Sequence, residues 1–229
     1  MDSKTVRELI YKTIVNDPDP RSDGIHITQI AKLLRDDGCK RQVYYDLTSP
    51  VTPHDAKSSC VFFRGKGPHR ELAYRLAKEG WTVEEHLDES NGSLLHGTPD
   101  AYKDDTLLDF KTANFIPRDQ AQFEKYYAHY INQVKLYAAR LQQLKKADIK
   151  SAYIIFFPIG GDKPFEKLND IGIFPVSIMP QELPASLNKA EELAKEIQEF
   201  TIMGHLPSRN VGWSCDYCPF IVQCMGDGP

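Results

Sequence analysis

The chain lacks a hydrophobic run long enough to cross a membrane. Its most apolar stretch, Ser151-Ala152-Tyr153-Ile154-Ile155-Phe156-Phe157, stops at Pro158-Ile159-Gly160-Gly161, far short of the ~18 to 20 residues a span needs. A membrane-spanning protein is excluded. No secretory leader is expected, because Met1-Asp2-Ser3-Lys4-Thr5-Val6-Arg7-Glu8 mixes both signs of charge and leads into no apolar segment, and a cytoplasmic location is the expectation. Positive charge is not in excess: 28 lysines and arginines against 32 aspartates and glutamates give a net charge of −4. That rules out phosphate binding over a polybasic whole surface and leaves only a local groove. Cysteine is sparse and odd in number, with Cys39, Cys60, Cys215, Cys218 and Cys224 making five, which argues against a disulfide framework in a chain with no export signal. Internal repeats and low-complexity tracts are absent.

What is present is enough for one large domain: 229 residues, 41% of them hydrophobic, can bury a core unaided. Helical periodicity marks residues 5–15, then residues 29–35 behind Thr28 as N-cap with Gly38 closing, then residues 69–79 behind Pro68 and ending at Gly80. His69 falls in the first turn of that third helix. The period then shortens to two over residues 81–87, 94–102 and 106–112, which predicts three strands, the last two a hairpin turning at Lys103-Asp104-Asp105. A long helix is expected over residues 118–147, with Tyr126, Tyr130, Gln133, Val134, Tyr137 and Leu141 near one stripe. A strand over residues 152–157, an antiparallel partner at 171–176, a helix over 182–204 and an irregular cysteine-bearing tail complete the reading.

Chemistry gathers in Gly97-Thr98-Pro99-Asp100 and Leu108-Asp109-Phe110-Lys111-Thr112. Alternation along a strand points Asp109 and Lys111 to one side, and the hairpin brings Asp100 close to them. Two carboxylates and an amine then converge, a hard-oxygen set suited to Mg2+ or Mn2+, with the lysine able to orient or deprotonate an attacking water. Charges flanking Phe110 in an apolar strand are costly unless paired or metal-bound. In the tail, Cys215, Cys218 and Cys224 form C-x2-C-x5-C, and a fourth thiolate from upstream would complete a tetrad that suits zinc as well as an iron-sulfur cluster.

Together these residues resemble the PD-(D/E)xK nuclease superfamily, in its RecB-like branch and nearest the Cas4 and AddB-type iron-sulfur exonucleases. The family's upstream histidine is matched by His69, its metal aspartates by Asp100 and Asp109, its lysine by Lys111, and the Q-x3-Y of the branch by Gln133 and Tyr137. Asp109 stands where many relatives have glutamate, within the family's D/E choice. Cys39 in Gly38-Cys39-Lys40-Arg41 resembles the family's distant cluster cysteine, and Cys60 is left over as a small apolar residue. His96 and Glu85 are placed near enough to be auxiliary ligands.

The resemblance implies an α/β restriction-endonuclease-like core, a central mixed sheet flanked by helices, with an N-terminal helical part (1–66), a nuclease core (67–180) and a C-terminal helix and tail (181–229) within one domain, the chain ends joined by a metal cluster. It implies a DNA exonuclease that uses Mg2+ or Mn2+, with His69, Asp100 and Asp109 on the metal and Lys111, Gln133 and Tyr137 completing the catalytic set. A 4Fe-4S cluster on Cys39, Cys215, Cys218 and Cys224 is implied with it. Single-stranded DNA ends are the implied substrate, 5′-to-3′ polarity is favoured, and recombination or CRISPR-adaptation proteins are the implied partners. The alternative is a catalytically weak DNA-binding or assembly module of a recombination or adaptation complex, with a structural iron-sulfur or zinc site. A groove is expected from Arg64, Lys66, Arg70, Lys135 and Arg140, with Tyr126, Tyr127, Tyr130 and Tyr137 to stack bases.

Overall fold

Alternating burial along the strands decides which side of the sheet is the interior, and the helices are arranged to cover that side. The computed structural model describes residues 24–49, 56–87, 92–158 and 171–228. The helix predicted over residues 5–15 and the side chains of Cys60 and Arg64 lie outside the described residues.

In chain order, β1 (Ile25–His26) runs directly into α1 (Ile27–Leu33) and α2 (Lys40–Thr48), followed by α3 (Ala56–Lys78). Strands β2 (Thr82–Val83), β3 (Leu95–His96), β4 (Ala101–Lys103) and β5 (Thr106–Ala113) come next, then α4 (Gln120–Tyr126) and α5 (Ala128–Gln143). The chain closes with β6 (Ser151–Pro158), β7 (Gly172–Ser177), α6 (Leu183–Met203), a 3-10 turn at Trp213–Tyr217 and α7 (Ile221–Gly226). The main sheet is ordered β2-β4-β5-β6-β7, parallel only between β5 and β6, and a small parallel pair joins β1 to β3. The two helices between β5 and β6 make the crossover that a parallel pair requires. This is a mixed α/β architecture with a central mixed sheet flanked by helices.

The predicted hairpin forms: β4 pairs antiparallel with β5 through Ala101↔Leu108, and Asp104 takes the left-handed conformation at the turn. The expected antiparallel partnership of β6 and β7 is also present. Several boundaries differ for local reasons. Helix α1 is capped by His26, whose backbone N–H donates to Gln29 Oε1 at 2.9 Å, rather than by Thr28. Pro68 lies inside α3 instead of starting a helix, so His69 is an interior residue. The strand expected over residues 81–87 is cut short by Glu84, which has φ 47°. That over residues 94–102 is split at Gly97-Thr98-Pro99, where proline cannot donate to the ladder. The long helix breaks at Tyr127, which leaves Tyr126 half exposed and off the stripe. The tail is more ordered than expected, holding the 3-10 turn and α7.

Gly38 is required by space. A Cβ there would sit 2.5 Å from the Leu33 carbonyl oxygen and 2.7 Å from its Cα, backbone atoms with no room to yield. Gly38→Ala is therefore expected to lower stability by roughly 1–3 kcal/mol, read as an earlier thermal transition; an unchanged midpoint would show that the turn before Cys39 can relax.

Candidate active site

The register of β5 on β6 sets Asp109 opposite Ile154 and Lys111 opposite Phe156. Since Ile154 and Phe156 are fully buried, the acid and the amine point into the interior, beneath α5. Lys111 Nζ lies 2.7 Å from Asp109 Oδ2 and 4.8 Å from the centre of the Tyr130 ring. Asp109 is only 2% exposed, and its Oδ2 accepts no well-directed hydrogen bond. Burial pushes its carboxyl above the usual carboxylate range; Lys111 pulls it back, and the nearby charge of Asp100 pushes the same way as burial. For Lys111, burial works against the ammonium, but Asp109 and Asp100 outweigh it and hold its pKa above the ordinary lysine value. The lysine is therefore charged at neutral pH.

Asp100 stands immediately before β4, where the hairpin directs it at β5. Its Oδ2 accepts the Phe110 N–H at 2.6 Å, and its Oδ1 lies 3.7 Å from His69 Nδ1. His69 reaches this point from α3, with its ring edge-on to Phe110 at 6.0 Å. Four residues from three segments thus meet at one end of the hairpin. Among the described residues, no group of three or more His, Cys, Asp or Glu side chains is closed into an arrangement that could hold a metal ion.

Gln133 and Tyr137 share a helical face, as their spacing predicts, and Gln133 Nε2 donates to Tyr137 Oη at 3.2 Å. They do not open to solvent: the two are 6% and 4% exposed. Tyr137 therefore has no open face on which a base could stack, and its ring packs on Gly97, where a Cβ would come 2.8 Å from Cε1. Burial raises the Tyr137 pKa, and Asp109 and Asp100 add to the rise, so the phenol lies within electrostatic reach of both acids. Gly97→Ala would drive a methyl into a buried ring. The expected result is a loss of roughly 1–3 kcal/mol of stability, checked by thermal unfolding.

Two solved structures are similar along most of their length. One is SSO0001, 15% identical, with a TM-score of 0.57 over 96% of this chain and 95% of that one. The other is a phage related exonuclease from Haemophilus somnus 129PT, 14% identical, with a TM-score of 0.55 over 79% of this chain and 96% of that one. The chain has the fold of these two proteins. No protein-family model and no curated protein matches it. At such identity the likeness speaks for the fold alone, and the residues carry their own argument.

The four cysteines of the expected tetrad are drawn to one end of the molecule. Asn210 Nδ2 donates to the carbonyls of Asp36 and Gly38 at 3.3 and 3.2 Å, which sets the tail against the turn that leads to Cys39, the N-cap of α2. Arg41, buried, donates to the carbonyls of Pro207 at 2.8 Å and Gly228 at 2.7 Å, and Tyr45 Oη donates to Asp227 Oδ2 at 2.6 Å. Burial raises the Cys218 pKa, and Cys39, Cys215 and Cys224 each raise it further as like charges. The thiols are thus near enough to feel one another.

Other expectations are redirected. Arg140 is fully buried beside Gln143 and cannot line a groove. Glu85 is engaged by Lys146 and by the Tyr102 hydroxyl, which hold its pKa down. His96 is buried against His26, with ring centres 4.0 Å apart. Lys66, Arg70 and Lys135 remain accessible. Sequence reasoning assigns Tyr130 only to stacking with bases; in the fold its ring lies beside Lys111, and only the parallel register of β5 beneath α5 reveals that.

Proposed function

We propose that the protein is a divalent-metal-dependent DNA nuclease, an exonuclease of the Cas4-like kind that acts on single-stranded ends. The observation that carries this reading is the convergence of His69, Asp100, Asp109 and Lys111 at one end of the β4–β5 hairpin. The exonuclease name of one structural neighbour points the same way.

The donor set suits Mg2+ or Mn2+. Asp109 Oδ2 is a buried carboxylate oxygen that faces Lys111 Nζ at 2.7 Å without a well-directed hydrogen bond, and a divalent cation would add the coordination it lacks. His69, Asp100 and Asp109 would hold the ion, which when bound neutralises charge on the phosphoryl group and acidifies water. Lys111, whose pKa the neighbouring carboxylates raise in the metal-free site, donates to a phosphate oxygen or orients the attacking water. Gln133 and Tyr137 position the acids from behind rather than touching DNA. Cys39, Cys215, Cys218 and Cys224 would hold a 4Fe-4S cluster: the other three thiols raise the proton affinity of Cys218, a like-charge cost that a shared cationic centre relieves. A 5′-to-3′ direction, a cytoplasmic location and a place in recombination or CRISPR adaptation belong to the same reading. No helix among the described residues is long and apolar enough to cross a membrane.

The test is cleavage of end-labelled single-stranded DNA with Mg2+ or Mn2+ and with chelator, the label position reporting polarity. Metal-dependent shortening from one end is the expected result. Tight DNA binding with no cleavage under any metal would replace this reading with that of an assembly module.

A further inference from the structure

His129, in the first turn of α5, plays no part in the site described so far. Its Nδ1 is buried and makes no hydrogen bond among the described residues, a costly condition for a polar atom unless a ligand satisfies it. Its ring lies against Tyr130, with centres 4.0 Å apart, and Tyr130 in turn neighbours Lys111 Nζ. Helix α1 runs alongside, tied to α5 by Asn132 Nδ2 donating to the Ala31 carbonyl at 3.3 Å. That bond sets the end of α1, with Lys32 in its last turn and Arg35 two residues beyond it, beside α5, within electrostatic reach of His129. Asp37 grips Arg35 through Nε at 2.8 Å and Nη2 at 2.9 Å, which fixes the guanidinium and offsets part of its charge.

The sign of the local field selects the ligand. Burial pushes the His129 pKa down to about 4, and Arg35, Lys32 and Lys111 push it the same way, with Asp37 alone pulling it back. The imidazole is therefore neutral at neutral pH and sits in a positive field, although the whole chain carries a net charge of −4. A cation is repelled there. An anion with oxygen acceptors supplies both the missing hydrogen bond and the counter-charge.

We propose that Lys32, Arg35 and His129 form a seat for a nucleic-acid phosphate other than the one being cleaved, reached from Lys111 by way of Tyr130. This rests on the nuclease reading and gives it a substrate path that differs from the groove expected from the sequence. The phosphate belongs either to a diester within the strand or to a terminal monoester; the chemistry of the seat is the same for both.

The experiment measures equilibrium binding of a short oligothymidylate, with and without a terminal phosphate, to wild-type protein and to Lys32→Gln/Arg35→Gln, with Ca2+ in place of the hydrolytic metal. The double variant is expected to bind roughly 5- to 10-fold more weakly, with a salt dependence shallower by about 0.7 for each single-strand phosphate that it no longer neutralises. Weaker binding of both oligonucleotides assigns an internal diester, and weaker binding confined to the phosphorylated one assigns the terminal group. His129→Phe should weaken binding several-fold while leaving the thermal midpoint unchanged or raised, because it removes an unsatisfied polar atom; a merely structural histidine would do the reverse. Inorganic phosphate should shift the His129 ring resonances in 15N-histidine-labelled wild type and not in the double variant. Unaltered affinity and salt slope in the double variant would overturn the seat and leave the nuclease reading untouched. If wild type bound DNA and the double variant lost that binding, yet no metal gave cleavage, the seat would stand and the nuclease reading would fall.

Discussion

Asp109→Asn is expected to abolish metal-dependent cleavage, by roughly three orders of magnitude or more, and also to make the protein less stable. The activity loss follows because an amide of the same shape brings no charge to the metal, and such a ligand is worth several kcal/mol in the transition state. The stability loss has a different origin. Asp109 is the nearest counter-charge to Lys111, at 2.7 Å; the acid is buried and the amine largely so. Leaving one buried member of such a pair unmatched costs about 3–5 kcal/mol, on the order of 10 °C or more in thermal midpoint for a chain of this size. The two effects separate in Asp109→Asn/Lys111→Met, which removes both charges: the midpoint should recover most of its loss, while cleavage stays abolished. Turnover near wild type in Asp109→Asn would end the assignment of this carboxylate, and a double variant no more stable than the single one would show that the pair was not the source of the stability loss.

Cys39→Ser is expected to have the second largest effect, on iron content and stability together. Iron and zinc counts on anaerobically purified wild type should show iron with a brown chromophore, and the serine variant should lose both, along with a substantial part of its thermal stability, because binding a structural metal contributes directly to folding free energy. Unfolding is not expected to be complete. Asn210, Arg41 and Tyr45 hold the tail through hydrogen bonds that need no metal. Stoichiometric zinc without iron would replace the cluster with a zinc tetrad, and an unchanged metal content in Cys39→Ser would remove Cys39 from the ligand set.

Much of this is legible in the sequence, because it rests on local rules. The β4–β5 hairpin can be read from its alternation and its Asp104-Asp105 turn, and from it the meeting of Asp100, Asp109 and Lys111. The spacing of Gln133 and Tyr137 likewise implies their shared face. What spacing cannot supply is which way that face looks. Solvent exposure depends on how α5 lies over the sheet, and the pair expected to meet DNA is instead buried behind Gly97. Arg140 is misplaced by sequence reasoning for the same cause, since an arginine reads as surface until its surroundings are known. The contribution of Lys32, Arg35 and His129 is illegible because it depends on α1 and α5 lying side by side, tied by a bond between residues 101 positions apart.

The bonds that tie Arg41 to the tail span 166 and 187 residues. On a ribosome adding about 5–20 residues per second, that separation is a wait of roughly 10 to 40 s. Throughout that interval a guanidinium destined for the interior has none of its final acceptors, and Val43 and Tyr45 beside it are apolar groups still in search of a cover. The segment around α2 thus waits uncovered for most of the synthesis of the chain. Slowing translation between α3 and α6 should lengthen its exposure and lower the yield of native protein.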